Sequence, residues 1–390
     1  MGICLAAAAP VAFALGKEDQ ASADPPAAGQ AAAPARSRSD AKVAIMSCNG
    51  YGPEVRAALE KSFDLLGGIG GLVKNQTVTV KINLTGSDFH PVFSRPVGES
   101  FMTHSSTAMA LGSLLFAAGA KRVRFVESTN RLEPLEKVLG FAGWDVNALL
   151  ALGNVELEDT RNLGKTKQYA PLQVASGGYL FSSFELNHAY HDTDVLVSLS
   201  KLKTHTIAGV TMSMKNLFGI TPNALYGDQA GSENATTGRG KLHDMVGWDA
   251  AAAAKIVFPG ARPGTFSNDP GYRVPRIVAD LCEARPIHLC VIDGITSMSG
   301  GEGPWSAEAR PIGLTTPGVL IVGKNPVSTD AVGTAVMGFD NPRAARGEGP
   351  FKLGDNHLVL AEQRKLGIAD LSKIEVLGVP IAQARYPYPL

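Results

Sequence analysis

The chain has 390 residues, no formal net charge, 45% hydrophobic residues and 18% charged ones. That balance describes a globular protein of one large domain or two, and it excludes a disordered or fibrous chain. A neutral chain also lacks the positive face of a nucleic-acid binder and the polybasic segment of a membrane-surface protein.

Residues 3–15, ICLAAAAPVAFAL, form the longest charge-free apolar run near the start. It is too short to span a bilayer as a helix, so no stable membrane span is expected. Its length is that of the hydrophobic part of an export signal, and Ala21-Ser22-Ala23 supplies a cleavage site. No Lys or Arg precedes the run, so the basic segment of such a signal is not seen in these residues. Residues 1–23 are read as a signal peptide of an exported, periplasmic protein, with a cytoplasmic protein as the alternative. Residues 24–40 are rich in Pro, Ala and Ser and read as a disordered linker. An α/β domain over 41–385 follows.

From residue 42 strand-like and helix-like segments alternate. Lys42–Ser47 and Thr77–Ile82 are short runs with β-branched residues, and Arg122–Val126 is a third. Between them, Val55, Leu59, Phe63 and Leu66 recur at helical spacing, and Ser105 to Ala118 reads as a helix capped by Thr103 or Ser105. Asp194–Leu199, Ile287–Ile292 and Val319–Val322 are apolar runs suited to strands buried on both faces. Helices are expected over Val327–Met337 and Asn356–Lys365, with a last strand at Ile374–Val379. This alternation predicts an α/β fold of Rossmann-like layers, a mostly parallel sheet with helices on both faces. Residues 222–272 are rich in Gly, Asn, Thr and Pro and read as a long insertion or lid.

The four cysteines, Cys4, Cys48, Cys282 and Cys290, include no C-x-x-C pair. No iron–sulfur cluster is therefore expected, and Cys282 and Cys290 read as small core residues. There is no Walker A sequence and no G-x-S-x-G elbow.

Ligands of α/β sheets bind at the carboxyl ends of strands. Lys81 and Asn83 fall at such an end, and His104 and Ser105 where a helix begins, a place that attracts anions. Lys201, Lys203 and His205 alternate after the strand at 194–199, which in an extended chain puts them on one face. Lys215 and Asn216 interrupt an apolar stretch of Met214, Leu217 and Phe218, and Lys241 and His243 form one more basic pair. Asp293 ends a strand and leads to a glycine-rich loop with Gly300, Gly301, Glu302 and Gly303. Asp330 lies in a helix-like stretch. Clustered lysines bind anions and depress one another's pKa, which makes a base or nucleophile of Lys203 or Lys215. Three histidines, His104, His205 and His243, with a carboxylate are also a donor set for a divalent transition metal such as zinc or nickel. His188, His191, His288 and His357 read as surface or satisfied residues.

The segments VKINL (80–84), THS (103–105), SKLKTH (200–205), MSMKNLFGI (212–220), KLHD (241–244), VIDGI (291–295), GGEGP (300–304) and NPVSTDAVG (325–333) resemble, in the same order, the domain of unknown function 362 family. The resemblance implies that Lys81, Asn83, His104, Lys203, His205, Lys215, Asn216, His243, Asp293, Glu302 and Asp330 belong to one shared motif set. Many relatives carry an attached ferredoxin-like module, which this chain's cysteines could not serve. It also has Ser105 where relatives often have Pro.

The reading that results is an exported enzyme for a small anionic molecule. Lys203, His205, Lys215, Asp293 and Glu302 would be the catalytic groups. Lys81, Asn83, Ser105, Lys201, Asn216, Lys241, Gly300, Gly301, Gly303 and Asp330 would bind the ligand, with His104, His205 and His243 as the metal set. The alternative is a non-catalytic exported binding module for an anionic metabolite.

Overall fold

A computed structural model describes residues 41–232, 238–243, 258–305 and 311–389. The expected signal peptide and linker lie outside the described residues, as does part of the 222–272 insertion. Among the described residues no helix is long and apolar enough to cross a membrane.

Among the described residues fourteen strands follow in chain order. They are β1 Lys42–Ser47, β2 Thr77–Lys81, β3 Arg122–Glu127, β4 Val155–Asp159, β5 Tyr169–Gln173, β6 Ser183–Asn187, β7 Val195–Lys201, β8 Lys203–His205, β9 Gly209–Thr211, β10 Leu289–Gly294, β11 Ser297–Ser299, β12 Gly313–Thr315, β13 Val319–Gly323 and β14 Glu375–Gly378. Eight of them form one sheet in the order β14-β1-β13-β10-β7-β2-β3-β4. Only β13 runs against its neighbours; every other pairing in this sheet is parallel. The remaining strands make three small antiparallel pairs, β5 with β6, β8 with β9 and β11 with β12.

The apolar runs explain the layers. In β10, Leu289 and Val291 enter one core while Cys290 and Ile292 enter the other; Leu320 and Val322 of β13 part from Val319 and Ile321 in the same way. Successive strand residues point to opposite faces, so a strand buried on both sides must be apolar throughout. Helices Glu54–Leu65 and Ser105–Ala117 cover one face through Val55, Leu59, Phe63, Leu111 and Leu115. Helices Pro270–Ala284, Pro326–Val336 and His357–Gln363 cover the other through Val274, Ile277, Val332 and Leu358. Each fully buried Leu, Ile or Val contributes about 1.5–3 kcal/mol.

Two local expectations are corrected. The cap of helix Ser105–Ala117 is His104, whose Nδ1 accepts the Ser106 N–H at 3.1 Å. Thr103 instead accepts the Asn83 N–H (2.8 Å) and donates to the Leu199 carbonyl (3.2 Å), which joins the ends of β2 and β7. The extended run from Lys201 to His205 is also not one strand. It is interrupted at Leu202, where β7 has ended and β8 has not begun, so Lys201 and Lys203 lie on either side of the break.

The order of strands fixes where a ligand can sit. From β2 the chain moves outward to β3 and β4, then returns to place β7 on the other side of β2 and β10 beyond it. The direction reverses between β2 and β7, and ligands of parallel sheets bind outside the carboxyl ends at such a reversal.

Candidate active site at the carboxyl ends of the strands

Lys81 closes β2 and Glu127 closes its neighbour β3. Their side chains form a buried ion pair, Lys81 Nζ to Glu127 Oε1 at 2.6 Å. Lys81 also donates to the Ile82 carbonyl at 2.6 Å. Burial pulls the Lys81 amine down, and Glu127 opposes that pull.

Asn216 spans the reversal. Its Nδ2 donates to the Lys81 carbonyl and to Ser198 Oγ, both at 3.1 Å, and its Oδ1 accepts from Asn83 Nδ2 at 3.1 Å. Asn216 belongs to the short helix Ser213–Asn216, whose first amides are taken by Asp330: Ser213 N–H to Oδ1 at 2.9 Å, Met214 N–H to Oδ2 at 2.8 Å.

Lys81, Asn83, Glu127 and Asn216 form one wall of a cavity of about 380 Å³, a volume suited to a small molecule. Lys203, His205, Lys215, His243, Arg239 and Glu302 also line it, with Ser128, Asn130, Thr211 and Asp228 among the other polar residues. Lys203 is spoken for, since its Nζ donates to the Phe101 and Glu302 carbonyls at 2.7 Å each. Lys215 is not. Its Nζ lies over the Phe218 ring, 4.4 Å from the centroid, and has no hydrogen bond among the described residues. Burial brings both amines down to about 7, with neighbouring cations helping and Glu302 opposing. Burial likewise lowers the Arg239 guanidinium to about 10. Arg239 donates from Nε to the Thr221 carbonyl (2.6 Å) and from Nη2 to Ser128 Oγ.

His205 and His243 meet through their Nε2 atoms at 3.3 Å. His205 Nδ1 accepts the Ile207 and Ala208 N–H groups at 3.1 and 3.2 Å, so the ring proton is on Nε2 and is shared with His243. Burial, with Lys215 beside them, holds both rings well below the usual imidazole range, and they are neutral. Glu302 Oε2 accepts the Thr206 N–H at 3.1 Å. Burial raises the Glu302 carboxyl, but His243, the Thr206 N–H and Lys215 together hold it lower than usual. At the mouth stands Trp305, 44% exposed. Gly86 and Gly303 flank its ring; a Cβ at Gly86 would lie 2.6 Å from the indole, and one at Gly303 closer still.

The structure thus gathers Lys81, Asn83, Lys203, His205, Lys215, Asn216, His243 and Glu302 around one cavity. It places the other candidates elsewhere. Lys201, Asp293 and His104 form a second cluster with Tyr51. There Lys201 Nζ meets Asp293 Oδ2 (3.2 Å) and Tyr51 OH (2.8 Å), while His104 stacks on Tyr51 at 3.6 Å. The break at Leu202 is what sends Lys201 there. Ser105 lies in the first turn of the helix His104 caps. Lys241 Nζ turns to the Asp228 carbonyl at 2.8 Å. Asp330 is buried behind the cavity wall with both oxygens on amides. Gly300, Gly301 and Gly303 do not line the cavity; Gly301 N–H is taken by Thr204 Oγ1 (3.1 Å), and the loop serves to present Glu302 and Trp305.

Arg239, Glu127, which pairs with Lys81, and Trp305 at the mouth escaped the sequence reading. Arg239 sits two residues before Lys241 in a Gly-rich segment that offers no periodicity. His357, expected at the surface or satisfied, is fully buried beside the Ala208 backbone.

The model of a domain of unknown function, DUF362, matches residues 78–335. The chain belongs to the DUF362 family. No curated protein matches the sequence. Among solved structures, a protein from Thermotoga maritima is similar at 13% identity and a TM-score of 0.35, over 66% of this chain and 54% of that one. The lactate racemase apoprotein from Thermoanaerobacterium thermosaccharolyticum is similar at 14% identity and a TM-score of 0.35, over 73% of this chain and 54% of that one. This DUF362 member spans about half the length of each.

A metal set of His104, His205 and His243 does not assemble in this DUF362 chain. His104 lies in the Tyr51 cluster, and His205 has its lone pair on backbone amides and a proton on the nitrogen that faces His243. Among the described residues no group of three or more His, Cys, Asp or Glu side chains is placed to hold a metal ion.

Proposed function

We propose that the protein is an enzyme that binds a small anionic molecule in the cavity between the ends of β2 and β7 and acts on it through Lys215. The observation that carries this reading is the Lys215 amine, buried, without a hydrogen-bond partner among the described residues, and facing a cavity. An amine near neutrality in its own pKa serves as proton acceptor, proton donor or nucleophile at physiological pH. Arg239, which has no salt bridge among the described residues, adds positive charge for an anion, and the His205–His243 pair offers a neutral relay for a proton. We further propose export, on the apolar run at 3–15 and the cleavage site at Ala21-Ser22-Ala23.

The test is a thermal-shift screen of small carboxylates and phosphate monoesters, followed by proton NMR for conversion of those that stabilise. A stabilising anion that is converted by the natural protein, and bound but not converted by Lys215→Met, supports the enzyme. A stabilising anion that is never converted, with Lys215→Met costing only affinity, makes the protein a carrier. N-terminal sequencing of the protein from its native host tests export: a mature chain starting near Asp24 supports it, and retention of residues 1–23 overturns it.

A further inference from the structure

We infer that the ligand of the cavity is a carbonyl-bearing carboxylate, a 2-oxo acid, and that Lys215 joins its carbonyl carbon as an imine while Arg239 holds its carboxylate. This rests on the proposed function and names its substrate class.

Three lysines line the cavity, and their hydrogen bonds sort them. Lys81 is paired with Glu127 and with the Ile82 carbonyl, both at 2.6 Å. Lys203 spends its donors on two carbonyls at 2.7 Å. Both are fixed braces between segments of the wall. Lys215 has only the face of Phe218 against it among the described residues. A lysine desolvated in a partly apolar pocket next to other cations is the arrangement that makes an amine a carbonyl nucleophile. Burial supplies the first condition here, and Arg239 and Lys81 supply the second. An amine meant only to bind an anion as a cation would gain from a close carboxylate partner, and Lys215 has no salt bridge among the described residues, with Glu302 acting on it only from across the cavity.

Arg239 supplies the second half of the argument. Its Nε and Nη2 are bound to Thr221, Ser128 and Gly219, which fixes the guanidinium plane. Its Nη1 makes no hydrogen bond among the described residues. A guanidinium held by one edge with the remaining nitrogen at a cavity is a carboxylate anchor. Arg239 also lies close enough to Lys215 to depress its amine. An anchor beside a nucleophile selects a molecule whose carboxylate and electrophilic carbon are adjacent.

The step balances without a further reagent. The Nζ lone pair of Lys215 attacks the carbonyl carbon, and the carbonyl π pair becomes a hydroxyl on taking a proton. The carbinolamine then breaks its C–O bond and releases water, leaving a protonated C=N bond to Lys215. His243 and Glu302 face the same cavity and hold or deliver the protons.

The full chain is incubated with pyruvate and sodium cyanoborohydride near neutral pH, digested and mapped by mass spectrometry. The expected result is one secondary-amine adduct, on the peptide that contains Lys215. It forms about tenfold or more faster than with acetone, which has the carbonyl but no carboxylate. Arg239→Gln is expected to erase most of that preference. Adducts spread over exposed lysines, an adduct at Lys203, or equal rates with acetone would overturn the inference. Because mapping is done on the natural protein, it does not depend on a Lys215 variant folding. Thermal stabilisation by pyruvate without any adduct overturns the imine and leaves the proposed function standing; neither stabilisation nor conversion of any anion in the screen removes both.

Discussion

His205 donates its Nε2 proton toward His243 Nε2 at 3.3 Å because its Nδ1 is already taken by two backbone amides. Changing His243 to Ala leaves that buried donor without an acceptor, which costs about 1–3 kcal/mol. A divalent ion could bind His205 only after removing the proton. Calorimetric titration with zinc or nickel is therefore expected to give no stoichiometric binding that depends on the pair. One equivalent bound by the natural protein and by His104→Ala, but lost in His205→Ala and His243→Ala, would show the proton assignment to be wrong.

Lys215 gives the clearest pH signature. Its amine is lowered from the usual lysine range to about 7. Between about pH 7 and 10 the unfolded chain holds this proton and the native chain does not, so stability rises with pH across that window. Below it the native state carries a desolvated ammonium, and each unit of depression is worth about 1.4 kcal/mol. Lys215→Met removes the titration. Urea denaturation is expected to find the variant more stable than the natural protein near pH 6, with the advantage shrinking toward about pH 9. A difference that stays flat across that range would mean that Lys215 titrates as an ordinary surface lysine.

The centre of the sheet could be read from the sequence because its strands are buried on both faces, whereas the edge strand β4 was missed. Runs such as VLVSL and VLIV have no other comfortable place. The Pro270–Ala284 helix could not, since Pro270, Gly271 and Pro275 hide its periodicity. The candidate residues were legible as residue types, but their grouping was not. Alternation placed Lys201, Lys203 and His205 on one face only on the assumption of an unbroken strand, and the interruption at Leu202 between β7 and β8 invalidates it. Asp330 was found for its carboxylate, yet its partners are amides 117 and 116 residues away, a relationship no local pattern encodes.

The Tyr51 cluster is predicted to support the fold and leave the cavity alone. Asp293 accepts from Lys201, Tyr51, Thr107 and the Ile295 N–H, all between 3.0 and 3.3 Å, so every lone pair is used within the protein. Asp293→Asn strands the fully buried Lys201 ammonium, and breaking such a pair costs roughly 3–5 kcal/mol. The melting temperature should fall, while the stabilisation given by any anion found in the screen should persist. Loss of that stabilisation in a folded Asp293→Asn protein would return Asp293 to the ligand site.

Trp305 should report occupancy. Its indole is partly exposed at the mouth, whereas Trp144 is buried in the core. A ligand that enters the cavity changes the polarity around Trp305 and with it the emission, and Trp305→Phe should remove the change. Gly86→Ala puts a Cβ 2.6 Å from the ring and must displace it. It should weaken ligand affinity at the mouth without altering the reaction of Lys215 with cyanoborohydride and pyruvate at saturation. With Trp248, which lies outside the described residues, replaced by Phe in both proteins, an emission change that survives Trp305→Phe would place the binding event away from the mouth.

Asp330 acts on the cavity without touching it. Its two oxygens hold the first two amides of the helix that ends in Lys215 and Asn216, so the carboxylate sets where both side chains arrive. The amides favour the charged form, but burial outweighs them and pushes the carboxyl up to about 7. The sign follows. Between about pH 4 and 7 the native carboxyl keeps a proton that the unfolded chain has lost, so this group's contribution to stability falls as pH rises through that window. Asp330→Asn does not titrate and sets an amide NH₂ against a backbone N–H, at a cost of about 1–3 kcal/mol. The natural protein's advantage over Asp330→Asn should therefore be larger near pH 5 than near pH 8. In a folded Asp330→Asn protein the pH midpoint for chemical labelling of Lys215 should also move, because the amine no longer meets Phe218 and Arg239 in the same place. A variant that is merely less stable, with the Lys215 midpoint unchanged, would reduce Asp330 to a packing residue.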